Sequence, residues 1–103
     1  MQKTSYNYQL SDEAEWDVED GYSWYESKQE GLGEIFLEKL DLAAAAIKSN
    51  PTTYSIRYKK KVRAFVVKRF PYLILYVVNE NDINVIAVFN THQHPRKWKD
   101  RVK

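Results

Sequence analysis

The chain has no cysteine, and only three glycines, three prolines and two histidines in 103 residues. Without cysteine there are no disulfide staples and no thiolate zinc site, and a reducing, cytoplasmic address is expected. No low-complexity segment occurs. Long apolar runs are also missing: none approaches the roughly 18 residues that a membrane helix requires. The first residues, Met1 to Leu10, mix polar and aromatic side chains and do not read as a signal peptide. No internal repeat occurs.

What is present is a folded composition, 44% hydrophobic, 15% aromatic and 29% charged, of a length suited to one domain spanning 1–103. Net charge is only +2, but it is segregated. Residues 1–50 carry −7 and residues 51–103 carry +9, counting Lys, Arg, Asp and Glu. Such a dipole concentrates a polyanion or an acidic partner on one side; acidic helix faces followed by lysine-edged strands would give the same count.

"SYNYQL" alternates Tyr6, Tyr8 and Leu10 with polar residues, the period of a half-buried strand. Ser11 or Asp12 offers a helix N-cap, and Asp12-x-x-Glu15 has capping-box spacing. Ala14, Val18, Tyr22 and Tyr25 line one stripe of this first helix, and Trp16 and Trp24 widen it. "EGLGE" (30–34) breaks the pattern. Leu32, Phe36, Leu40, Ala43 and Ile47 then form the apolar face of a second helix, which "SNP" (49–51) ends. So short a link predicts an antiparallel helical hairpin.

The second half is strand-like, with "VRAFVVKRF" (62–70), "YLILYVV" (72–78) and "INVIAVF" (83–89) separated by Pro71 and "NEND". "TYSIRY" (53–58) can add a short strand before the "KKK" loop. The last two strands are apolar on both faces, which places them centrally. The reading is an α+β chain of order β-α-α-β-β-β, an antiparallel sheet packed against the hairpin.

His92 and His94 have a chelating spacing, but a zinc site needs a third protein ligand and no other His or Cys exists, so no metal is expected. No nucleophile turn and no phosphate loop occurs, and no cofactor is expected. Acid–base chemistry on RNA would use His92 or His94 as base and Arg63 and Arg69 on phosphate. These arginines share a strand face with Phe65 and Val67 between them, Lys68 pointing the other way. Solvated strand edges that discourage aggregation explain the same cations. Arg63, Lys68, Arg69, Arg96, Lys97 and Trp98 are candidates for docking a target or partner, with Tyr54 and Tyr58 interleaved. Trp98 also suits an anchor that buries about 200 Å² and pins the tail to the sheet.

"WYESKQEGLGEIF" (24–36), "NPTTY" (50–54), "VRAFVVKRFPYLILYVV" (62–78) and "VIAVFNTHQHPRKW" (85–98) occur in an order that resembles the RelE/ParE toxin superfamily, on its ParE-like, plasmid-stabilisation side. The resemblance implies the same β-α-α-β-β-β fold and the toxin half of a type II toxin–antitoxin pair, neutralised by a cognate antitoxin protein. ParE-like members act on DNA gyrase, whereas RelE-like members cleave mRNA on the ribosome. Where RelE-like members place an arginine early in the penultimate strand, this chain has Leu73, and their further arginine and tyrosine fall on His92, Gln93, His94 and Trp98. The leading expectation is thus a gyrase-binding toxin rather than an enzyme. The alternatives are a ribosome-dependent mRNA endonuclease and a non-toxic module that binds antitoxin only.

Overall fold

The computed structural model describes residues 5–102; residues 1–4 and 103, including the start of the polar N-terminal stretch, lie outside the described residues. Strand β1 (Asn7–Leu10) leads directly into helix α1 (Asp12–Lys28). Ser11 is the N-cap, its hydroxyl accepting from the Ala14 N–H at 3.1 Å. The residue three beyond this cap is Ala14, so no reciprocal capping box forms, and Asp12 and Glu15 act only through the helix dipole.

Helix α2 (Leu32–Ser49) returns against α1, and one side chain sets the junction. Glu26 accepts from the backbone N–H groups of Gly31 and Gly33, both at 2.9 Å, so a carboxylate sits at the positive end of α2. Gly31 is left-handed at φ 86°, and a Cβ on Gly33 would lie 2.8 Å from the Tyr22 ring. Closer to the sheet, a Cβ on Gly21 would lie 2.7 Å from Phe36. Gly33 and Gly21 are therefore sites of close approach, whereas Gly31 supplies the left-handed turn between the helices.

The second half forms β2 (Ile56–Tyr58), β3 (Val62–Val66), β4 (Tyr72–Asn79) and β5 (Asp82–Asn90), followed by the single-turn helix α3 (Arg96–Lys99). Sheet order is β1-β5-β4-β3-β2, which puts the doubly apolar β4 and β5 inside the sheet, as expected from their sequence. Two features correct the sequence reading. The sheet is mixed, because β1 lies parallel to β5, with Leu10 opposite Val85. Strand β3 stops at Val66: the Val67 N–H bonds the Tyr72 carbonyl and Arg69 turns left-handed at φ 73°, so 67–71 is a tight turn into Pro71.

Both faces of the sheet are covered. Phe36, Ala43 and Ile47 of α2 and Ala14 and Tyr25 of α1 pack on Tyr72, Ile74, Tyr76, Ile83, Val85 and Val88. On the other face, Val62, Ala64, Leu75, Ala87 and Phe89 gather around Trp98. Tyr25, Phe36, Phe70 and Tyr72 form one aromatic cluster with centroids 4.8–6.2 Å apart. Trp16 and Trp24, in contrast, face solvent at 60% and 56% exposure. No helix among the described residues is long and apolar enough to cross a membrane.

Candidate functional site

The segment after β5 carries most of the candidate residues, and two anchors fix it. The Asn90 side chain accepts from the His92 N–H at 2.9 Å, and the Gln93 N–H returns to the Asn90 carbonyl, so the chain turns sharply off the sheet. His94 Nδ1 accepts from the Arg96 N–H at 3.1 Å and helps to start α3. Trp98 then buries itself to 5% exposure and meets Tyr58 edge-on at 5.3 Å. It is an anchor, and its indole is withdrawn from any docking partner.

The second anchor is Arg101, which the sequence reading did not single out. Pairing between β4 and β5 runs from Leu75–Ala87 to Tyr76–Val85, which leaves Ile86 as a bulge residue. Beyond Val85, β5 also has no β1 beside it. Arg101 Nη1 donates to the Ile86 carbonyl at 3.0 Å, and Asp17 of α1 accepts from the Val88 N–H at 3.0 Å. The same two side chains form a bidentate ion pair at 2.7 and 3.0 Å, with Glu13 at 3.6 Å from Arg101 Nε. An ion pair thus replaces the missing strand along this edge. The Asp17 hydrogen bond raises the Arg101 pKa above its ordinary value, against the opposing effect of burial. Asp17 and Arg101 are 84 residues apart, and no local pattern links them.

Of the two strand arginines, Arg63 spends its guanidinium on the fold. Its Nη1 donates to the carbonyls of Thr52 and Tyr54 at 3.0 and 2.7 Å, holding the 51–55 turn on the sheet beside Tyr76, whose hydroxyl donates to the Pro51 carbonyl at 2.7 Å. Arg69 does not share the Arg63 face, because the strand ends between them. Lys68 lies on the rim of an apolar groove of about 450 Å³ lined by Leu42, Ala43, Ala46, Tyr54 and Phe65. Lys97 lines a polar cavity of about 240 Å³ with Asp17, Asp20, Tyr72, Asn90, Gln93 and Arg101. His94 and Arg96 share a third cavity with Tyr58 and Lys99. His92 lies exposed on the turn.

The candidates are therefore spread over separate surfaces, with His94 and Arg96 lining one cavity together. Among the described residues no three His, Asp or Glu side chains are placed to hold a metal ion. Burial pushes the Tyr8 and Tyr76 hydroxyls up to about 12, but both serve the core between helices and sheet.

Residues 8–95 match the model of the ParE toxin of the type II toxin–antitoxin system parDE. The chain belongs to the ParE toxin family. A solved structure described as the chromosomal ParDE TA system from P. aeruginosa shares the fold, with a TM-score of 0.72 over 85% of this chain and 98% of that one at 13% identity. A comparison with curated proteins finds no match. The ParE family match ends at Pro95, so the Trp98 and Arg101 anchors fall beyond it. Tyr58, Lys59 and Lys99, which the sequence pattern does not group, meet on the far side of the sheet from the helices, with Lys60 exposed on the adjoining turn; the "KKK" run was the available signal.

Proposed function

We propose that this ParE-family chain is the toxin of a type II pair, that a cognate antitoxin neutralises it, and that it stops growth in the bacterial cytoplasm by binding DNA gyrase rather than by cutting RNA. One observation carries the choice between binding and cleavage. Most of the groups that acid–base cleavage would need are apart: Arg63 is spent on the Thr52 and Tyr54 carbonyls, Arg69 sits in a turn and His92 stands on an exposed loop, which leaves His94 beside Arg96 without the strand arginines. Leu73, where a nuclease relative would carry a phosphate-binding arginine, agrees with this. The exposed cations Lys68, Arg69, Arg96 and Lys97 remain available to target or antitoxin, and the apolar groove beside Lys68 gives a partner segment room to bury side chains.

The test is induction of the chain alone and together with the neighbouring reading frame. Growth arrest with DNA breaks and an SOS response is expected, relieved by the partner and retained in His92→Ala/His94→Ala. Loss of arrest together with loss of mRNA cleavage in that variant would make the chain an endonuclease. Normal growth of the wild type would make it an antitoxin-binding module only.

A further inference from the structure

The turn between β2 and β3 is built against the preference of its residues. The Lys61 N–H closes it on the Tyr58 carbonyl at 3.1 Å, and both central residues are left-handed, Lys59 at φ 50° and Lys60 at φ 60°. Such a two-residue hairpin favours Asn-Gly, since a Cβ is strained at positive φ. Two lysines there retain charge where backbone comfort would select glycine, and strain of this kind is a pointer to function.

The lysines do not stand alone. The Lys59 and Lys99 ammonium groups lie 5.6 and 5.2 Å from the centre of the same Tyr58 ring, and Lys99 is also 5.8 Å from that of Trp98. Beside them, Tyr58, His94, Pro95, Arg96, Lys99 and Asp100 line an open cavity of about 350 Å³. Asp100 is its one carboxylate. Among the described residues, Lys59, Lys60, Arg96 and Lys99 have no ion-pair partner. His94 uses Nδ1 as an acceptor, so its neutral ring carries the proton on Nε2, as a further donor.

We propose that this surface, the Lys59–Lys60 turn with the exposed side of α3, binds the phosphate backbone of duplex DNA. A protein partner would call for an apolar pocket for its anchor side chains, and the apolar groove lies elsewhere, against α2. Single strands are bound by stacking bases on free aromatic faces. Here Trp98 is buried and Tyr58 is covered by Trp98 and two ammonium groups, so the rings position the cations and leave no platform for a base. What remains is a group of cations without ion-pair partners among the described residues, which suits sequence-independent, salt-sensitive binding to phosphates. The inference does not depend on gyrase being the target.

Fluorescence anisotropy with a short labelled DNA duplex tests it. Four phosphate contacts predict that log K falls with log salt at a slope of about −3 to −4. Lys60→Gly/Lys99→Gln should lower the slope by about 2 and weaken binding at least about tenfold, while Lys28→Gln/Lys48→Gln, which removes the same charge from the helices, should leave both unchanged. Lys60→Gly alone should weaken binding with a Tm at or above that of the wild type, a combination that a folding defect does not produce. An unchanged slope in the turn variant, an equal loss in the helix variant, or tighter binding to single strands, an RNA duplex or poly-glutamate would overturn the proposal.

Discussion

Tyr76 shows how much one polar atom contributes in this core. It is fully buried, donates to the Pro51 carbonyl, and holds the end of α2 to the middle of β4. Burial raises its pKa, and that of Tyr8, from 10.0 to about 12, which means that the folded state favours the neutral phenol. The stability that follows is fully present below pH 10 and is lost as pH rises from 10 through 12, roughly 2–3 kcal/mol for Tyr76. Denaturant melts between pH 8 and 12 should therefore fall along a steep alkaline limb, and Tyr76→Phe should flatten it while losing about 1 kcal/mol at neutral pH. An identical alkaline slope in the variant would show that Tyr76 ionisation is not what unfolds the chain. Tyr76 could be read from sequence only as one of several apolar positions in β4; its partner carbonyl follows from the Pro51 turn, which no periodicity encodes.

At the level of elements, the helices were legible and the sheet edges were not. The apolar faces of α1 and α2 and the glycines between them recur in the structure because 3.6-residue spacing is a local property. The β3 boundary was missed because "VVKRF" has strand propensity to Phe70, whereas the tight turn before Pro71 takes the chain out of the sheet after Val66. The β5 edge was missed because Asp17 and Arg101 meet only through tertiary packing. Their side chains are 21% and 19% exposed, and removing either leaves the other, and a strand group, without its partner. Arg101→Ala and Asp17→Asn should each cost roughly 2–4 kcal/mol. The double variant should cost clearly less than the two single losses combined, as read by a double-mutant cycle in urea. Full additivity would mean that each residue acts on its own.

For the whole molecule, the division of charge along the chain becomes a division between layers. The acidic half supplies β1 and the helical hairpin on one face, and the basic half supplies the other strands and α3. On the thin side α3 sets Trp98 over Val62, Ala64, Leu75, Ala87 and Phe89, with Tyr58 and Val102 packed beside it. Removing residues 96–103 should expose this face, bind a hydrophobic dye such as ANS and abolish a cooperative melt. A truncated chain with an unchanged Tm would show that the hairpin side alone sustains the fold. The candidate site was legible only in part. In the tail the histidines drew notice, whereas the Tyr58 ring brings together the tail's Lys99 and Lys59 of a distant turn, a pairing that no local pattern encodes.

Strand order also sets a timetable for synthesis. β1 is made first, yet its neighbour in the sheet is β5, made last, and the edge beyond that pairing is completed by Arg101. A nascent chain can wind the helical hairpin early, but that hairpin has no complete sheet to rest on until β5 has emerged. A polypeptide stalled before β5 therefore lacks the finished sheet face. The sheet closes only once β5 and Arg101 have been made.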